Sequence, residues 1–383
     1  MLNKILLIWA VLGIVGCSIH PRLQYTEDDK AELTREVLGD APAPRELITL
    51  ELSPEIKAIL DERISPNWKS GRKLEELRSF LFSEDGVGIK YNAEATLTAI
   101  EAFKQKRGNC IALTNLFIAA ARYVGLDAEY QTVEVKPTWN QSGLTMIRYE
   151  HIIAVGRFGE ETYVVDFLPE FLIGDRPAET ISDEQALALY YNNLGAEAVV
   201  DSRPQEGIEY LRKSLKLNPE NSDAWNNMGA ALRRTGDERL VEFVYLKSLE
   251  LDKFNYSSLS NLFRFYDREG RTKDAELIAD QVDRYRKRNP YFHAYAAEAF
   301  IDIGDYDEAQ YLIQNAIRLK RDEPDFYETS ARIYLAQGDE IGHRRQLQLA
   351  KKYREQTPRR APIRVMESRL IVRSHITTQH IRD

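Results

Sequence analysis

The chain has 383 residues, 43% hydrophobic and 29% charged, with a formal net charge of −8 at pH 7. Such a length accommodates two ordinary domains, at about 150 residues each as a soft guide. The acidic balance argues against nucleic acid as a main partner, because phosphate binding needs a basic field.

In chain order, the first feature is an apolar run from Ile5 to Leu12, preceded by Lys4. It is too short to span a bilayer comfortably and suits the h-region of a signal peptide. The run ends in Ile14-Val15-Gly16-Cys17, with Ser18 following. This ending resembles the lipobox of bacterial lipoproteins, although Ile14 stands where leucine is commonest. The resemblance implies a signal peptide over residues 1–16 and lipidation, palmitate included, at Cys17. Several acyl chains would anchor the chain to the cell envelope without spanning the membrane. Under that family's sorting rule Ser18 implies the outer membrane, with the protein facing the periplasm. The alternative is an ordinary cleaved signal peptide with an incidental cysteine.

Residues 17–50 are polar, contain Pro21, Pro42 and Pro44, and read as a tether. Residues 51–178 mix helix and strand patterns and predict an α+β domain. Residues 184–353 read as helix after helix, and 354–383 as a basic tail or a cap for those helices.

Only two cysteines occur, Cys17 and Cys110. With lipid on Cys17 no internal disulfide is available. Cys110 is then a lone thiol in an oxidising compartment, or simply a buried small hydrophobe. Its local sequence is informative. Gly108 and Asn109 break structure ahead of a helix, and Gly125 ends it. Between them Leu113, Phe117, Ile118, Ala121 and Val124 keep helical spacing, which predicts a buried helix with Cys110 in its first turn. Unpaired N–H groups and the positive end of the helix dipole favour a thiolate there and offer donors to an oxyanion.

Of six histidines, His151 alone falls in the mixed domain. It lies in a strand pattern, Tyr149 to Gly156, and a second strand follows from Thr162 to Phe167. Arg157-Phe158-Gly159-Glu160 reads as the hairpin turn between them. A turn centred between Phe158 and Gly159 makes His151 and Asp166 direct cross-strand partners, with Cβ atoms about 4.5–5.5 Å apart. That separation lets a carboxylate orient an imidazole. A slip of one residue would put the two on opposite faces. Asp166 also fits a strand-end carboxylate, in which case Asp175 is the substitute.

A cysteine at a helix start, followed by His151 and Asp166 on consecutive strands, resembles the transglutaminase-like superfamily, whose fold is related to papain-like proteases. The resemblance covers roughly residues 75–170, including Tyr91 and Ala95-Thr96-Leu97-Thr98-Ala99. Its most specific parts are Gly108-Asn109-Cys110 and Tyr163-Val164-Val165-Asp166. The family implies a nucleophilic thiolate at Cys110, a general base and acid at His151, and an orienting carboxylate at Asp166. Gln105 lies one position away from where papain-like enzymes keep an oxyanion glutamine, which makes it a weak candidate. No HExxH, CxxC, Walker loop or dinucleotide glycine motif is present, so neither a metal site nor a cofactor is expected.

In the helical half Gly236, Gly270, Gly304 and Gly338 recur every 34 residues, with Ser202 one period earlier. Leu211, Tyr245, Ala279, Ile313 and Leu347 form another series of the same period. This frame resembles the tetratricopeptide repeat (TPR), in five units beginning near 188, 222, 256, 290 and 324. Small residues such as Gly195, Gly229 and Ala297 would let helices approach, and Tyr266, Phe300 and Tyr334 would fill the space between them. The resemblance implies a concave groove for a partner's segment.

Together these features predict an α+β papain-like or transglutaminase-like domain followed by an all-α TPR solenoid. The expected function is an envelope-anchored cysteine hydrolase, a protease or amidase, acting on a peptide or protein substrate. Its repeats would recruit that substrate or a protein partner. A catalytically silent scaffold working through the repeat groove is the alternative. Acyl transfer of the transglutaminase type is a further one, ranked below hydrolysis because no amine site is evident.

Overall fold

In the computed structural model the described residues are 25–134, 138–139, 146–147, 150–159, 161–167, 178–356 and 371–373. Residues 1–16, expected to be a signal peptide, together with Cys17, Asp175 and most of the tail, lie outside the described residues. Among the described residues, no helix is long and apolar enough to cross a membrane.

The chain begins with α1 (Glu27–Leu38) and a short 3-10 turn, Ile48–Leu50. Then come α2 (Pro54–Arg63), α3 (Ser70–Phe82), β1 (Lys90–Tyr91), α4 (Ala99–Gln105), β2 (Arg107–Gly108) and α5 (Cys110–Tyr123). Strands follow: β3 (Glu129–Glu134), β4 (Thr138–Trp139), β5 (Met146–Ile147), β6 (Glu150–Phe158), β7 (Glu161–Val165) and β8 (Ala178–Ile181). With β9 (Ile371–Arg373), the larger sheet has the order β8-β3-β6-β7-β9, and every neighbouring pair in it is antiparallel. Helices ahead of an antiparallel sheet make this half an α+β domain, as expected.

Helix α5 is its axis. Every residue from Ile111 to Ala121 is buried, so apolar surface covers the helix on all sides. Leu60, Leu74, Leu77 and Leu81 from α2 and α3 join it in one core with Ile152, Ala154, Tyr163 and Val165 of the sheet. The Tyr130 hydroxyl donates to Asn115 Oδ1 at 2.6 Å, tying β3 to the middle of the helix. At the far end Lys73, itself buried, donates to the Val124 carbonyl at 2.8 Å. A cation there complements the negative end of the helix dipole.

The second half is built from ten helices in five antiparallel pairs. These are α6 (Asp183–Val200) with α7 (Pro204–Leu217), α8 (Ser222–Thr235) with α9 (Glu238–Leu251), and α10 (Tyr256–Arg268) with α11 (Thr272–Arg288). The last two pairs are α12 (Pro290–Asp302) with α13 (Tyr306–Leu319), and α14 (Pro324–Ala336) with α15 (Glu340–Gln356). The pairs match the frame of five units, the first starting at 183 where 188 was expected. Gly236, Gly270, Gly304 and Gly338 each take a positive φ, from 68° to 88°, in the turn inside a pair. Ser202 does the same at 61°, one period earlier. Ala297 and Tyr266 are buried as expected, and Phe300 packs partly buried against the core of the fourth and fifth units.

Three expectations need correction. The segment read as a tether, 17–50, contains α1, which is docked on the repeats. Thr26 and Asp29 form a capping box at its start, and Leu33 and Val37 are buried with residues of α7, α8 and α9. Arg212 reaches from α7 to the Val37 carbonyl at 2.8 Å, and Tyr25 meets the Phe243 ring edge-on at 5.7 Å between centroids. The α+β domain starts earlier than residue 51, because Leu47, Ile48 and Leu50 already pack against its core. Finally, residues 371–373 of the tail pair with β7 at the sheet edge rather than capping the helices. A sheet edge with unpaired N–H and C=O groups is a template for such an addition.

Candidate thiol site and the repeat array

Cys110 opens α5. Asn109 caps the helix with an extended backbone, and its Oδ1 accepts from the Ala112 N–H at 3.1 Å. The N–H of Asn109 donates to the Ala95 carbonyl at 2.9 Å, and the N–H of Asn92 to the Gly108 carbonyl at 2.9 Å. The loop from 92 to 98 is therefore laced to the helix start. Gly108 is required by close approach, since a Cβ there would meet Ala112 Cβ at 2.8 Å and Leu113 Cδ2 at 3.0 Å. Cys110 itself is partly buried and free of any disulfide.

His151 and Asp166 are both buried, and His151 Nε2 stands 2.5 Å from Asp166 Oδ1. The hairpin reaches this arrangement by a register different from the expected one. Phe158 pairs with Glu161 and Ala154 with Val165, so the hairpin closes between Phe158 and Glu161. The turn is thus centred one position later than the sequence reading placed it. Gly159 explains the shift: its φ of +65° belongs to a primed hairpin turn whose twist matches the strands. Asp166, just past the end of β7, extends the register to a place opposite Ile153, not opposite His151. A displacement of two residues preserves the face, and a diagonal neighbour remains within side-chain reach. The partnership therefore survives as a diagonal pair.

The imidazole is electrostatically unusual. Burial alone would lower its pKa. Asp166, through its hydrogen bond and charge, and the neighbouring Cys110 together outweigh burial and raise it to about 10. Its Nδ1 is buried and has no partner of full hydrogen-bonding geometry among the described residues. One ring nitrogen is thus committed to the carboxylate, and the other is open on a ring that Cys110 already influences. This is the division of roles that a thiolate–imidazolium pair requires.

Gln105 does not join them. It is exposed at the end of α4, and its Oε1 accepts from Arg107 Nη2 at 3.0 Å and Nε at 3.2 Å. The weak expectation of an oxyanion donor there loses its support. The first turn of α5 offers its own N–H groups in that role. Asp175 lies outside the described residues. No cluster of side chains suited to a metal ion occurs among the described residues.

Two residues that matter to the site escaped the sequence reading in any specific role. Asn109 Nδ2 donates to Thr96 Oγ1 at 2.6 Å, and Thr96 Oγ1 donates to Glu197 Oε1 at 2.5 Å. Glu197 belongs to α6, so this chain crosses from the thiol helix into the repeats. At the other end of α5, Arg122 grips Asp183 at the start of α6 with two bonds, 2.6 and 2.9 Å long. Helix α6 therefore runs antiparallel beside α5 and is tied to it at both ends. Only the capping box at Ser182 and Gln185, which starts α6, carries a local signal for any of this.

The repeats can be placed among known proteins. A family model described as tetratricopeptide repeat matches residues 210–239, which run from the middle of α7 through α8 to the first residues of α9. The helical half is a tetratricopeptide-like solenoid of helix pairs, with the family match at residues 210–239. Photosystem I assembly protein Ycf3 of Prochlorococcus marinus (strain MIT 9313) is 29% identical over 107 residues, covering 27% of this chain and 62% of its own. Tetratricopeptide repeat-containing protein trd-1 of Caenorhabditis elegans is 23% identical over 131 residues, covering 34% of this chain and 17% of its own. The chain thus spans less than two thirds of the length of either relative. Among solved structures, MamA from Desulfovibrio magneticus RS-1 (residue 41 to the end) is 15% identical, covering 46% of this chain and 99% of its own at a TM-score of 0.26.

Proposed function

We propose that the protein is a scaffold that holds a polypeptide partner through its TPR array. The observation that carries this reading is the stack of five helix pairs, each of which needs its neighbours to bury its apolar face. Stacking of that kind generates an extended surface suited to a segment of another protein. The name of the relative Ycf3, an assembly protein, is in keeping with it. Capture of a defined partner by the full chain, retained by Cys110→Ala and lost when the array is disrupted, tests the reading. A partner that still binds after the array is disrupted would refute it.

A second reading rests on the diagonal His151–Asp166 pair beside Cys110. Here the α+β domain is transglutaminase-like, related to papain-like proteases, and acts as a cysteine hydrolase on a peptide or amide bond. The Cys110 thiolate attacks the carbonyl carbon, and the carbonyl electrons move onto oxygen, facing the N–H groups at the start of α5. The protonated His151 gives its proton to the leaving nitrogen as the C–N bond breaks, leaving a thioester. Acylation removes the thiolate charge, and with it the share of the imidazole's raised pKa that came from Cys110. The neutral ring then takes a proton from water as its oxygen attacks the thioester carbonyl; the C–S bond breaks, releasing the acid and restoring the Cys110 thiolate beside the protonated ring. Asp166 holds the ring throughout. Acyl transfer would follow the same path with an amine in place of water. Labelling of Cys110 by an electrophilic peptide probe, lost in His151→Ala, supports this reading; labelling no faster than that of a free thiol defeats it.

Lipid attachment at Cys17 would hold either activity at the envelope, on the periplasmic face of the outer membrane. Mass measurement of the mature N-terminus tests that attachment.

A further inference from the structure

We propose that Glu197, on the first repeat helix, is a positioning residue for the thiol site, fixing through Thr96 which way round the Asn109 carboxamide sits at the start of α5. The inference rests on the second reading above for its consequence at Cys110, and on hydrogen-bond polarity for everything else.

A carboxylate only accepts hydrogen bonds, whereas a hydroxyl has one proton to give and lone pairs to receive with. Thr96, 2.5 Å from Glu197 Oε1, must spend its single proton on that carboxylate. It can then only accept from Asn109, which therefore turns its NH2 toward Thr96, at 2.6 Å. Asn109 Oδ1 is consequently directed at the helix, where it receives the Ala112 N–H at 3.1 Å. With the carboxylate gone, Thr96 is free to donate to Oδ1, and the carboxamide can present NH2 to a helix end that offers only donors. Asn109 and Thr96 are both buried, so water is a poor substitute for the missing polarity. Asn109 immediately precedes Cys110, so its cap sets the first turn that aims the thiol.

The placement of Glu197 supports a dedicated role. It is half-buried, and burial raises its pKa while the Thr96 bond pulls the other way. Arg203 faces it as a cation, and Glu94 and Asp201 as like charges. The chain of bonds links residues 96, 109 and 197, so at the thiol end of α5 the array and the helix share a polar connection as well as a packed face.

The test uses the full chain as wild type and as Thr96→Val, Thr96→Ser, Glu197→Ala and Glu197→Gln. Hydrogen exchange at the Ala112 N–H reads the cap, exchange at the Phe117 N–H reads the helix interior, and iodoacetamide alkylation reads Cys110. Thr96→Val and Glu197→Ala are expected to speed exchange at Ala112 by roughly fivefold, the scale of a lost cap, and to slow alkylation by about threefold or more. Thr96→Ser, which keeps the donor, stays within about twofold of wild type on both readouts, whereas Glu197→Gln, whose amide can donate as well as accept, falls between wild type and Glu197→Ala. Unchanged exchange at Ala112 in Glu197→Ala overturns the proposal. So does an equal rise at Phe117, which marks general loosening instead of a lost cap. If wild-type Cys110 reacts no faster than a free thiol, the reading of the site fails while exchange at Ala112 still decides the relay.

Discussion

The two halves of the molecule specify themselves in opposite ways. In the array the same 34-residue instruction is written five times, and each helix pair answers mainly to its neighbours. In the α+β domain the decisive residues, Cys110, His151 and Asp166, come from separate elements and meet only when the sheet and α5 are both in place. A repeat tolerates local error because the others restate the rule. A site assembled once does not.

The sharpest way to break the comparison is to remove the thiol. Cys110→Ala should abolish labelling by electrophiles at that position and leave partner capture intact; loss of capture would show that the halves do not act separately. Next in size is Trp225→Ala in α8. Trp225 is buried against Phe243, with its Nε1 donating to the Pro219 carbonyl at 2.8 Å. Truncation should cost about 3–5 kcal/mol in denaturant unfolding of the array, with Cys110 alkylation under native conditions changed by less than about twofold.

His151→Ala comes third, slowing alkylation of Cys110 at neutral pH by about a hundredfold, the usual worth of a positioned acid–base partner. An unchanged rate would leave His151 as a packing residue. The pH dependence follows from the same ring. The His151 pKa rises from 6.5 to about 10 on folding, so its proton is held more tightly in the native state. The resulting stabilisation is complete below pH 6.5 and disappears as pH climbs through about 10. The melting-temperature advantage of wild type over Asp166→Asn should therefore shrink across that window, and an advantage that grew would contradict the assignment. Smallest is Gly304→Ala. Its φ is +79° and nothing lies within 4 Å of an added Cβ, so the cost is backbone strain alone. About 1 kcal/mol is expected, read as a modest fall in melting temperature.

Legibility in the sequence followed the same divide. The array was readable because Gly236, Gly270, Gly304 and Gly338 do identical work in successive turns. Helix α5 was readable too, since its apolar spacing and its flanking residues, Asn109 and Gly125, are local signals. The pairing of His151 with Asp166 was foreseen as a direct contact and found as a diagonal one, because register depends on which residue enters the turn. The docking of α1 was missed. Only Leu33 and Val37 are buried in an otherwise charged helix, and the capping box at Thr26 was the one available signal. Thr96 and Glu197 had no local signal at all, being 101 residues apart in the chain.

Helix α6 has a consequence for anyone cutting this protein in two. By repeat counting it is the first helix of the array, yet Ala186, Leu187, Tyr190 and Tyr191 complete the hydrophobic core around α5, and Tyr210 and Leu217 of α7 lean on that core. A fragment ending at residue 178 would present that bare core to solvent and is expected to aggregate. The shortest piece with a closed core runs through Leu217 and takes the first repeat with it. The seam visible in the sequence is therefore not the place where the molecule comes apart.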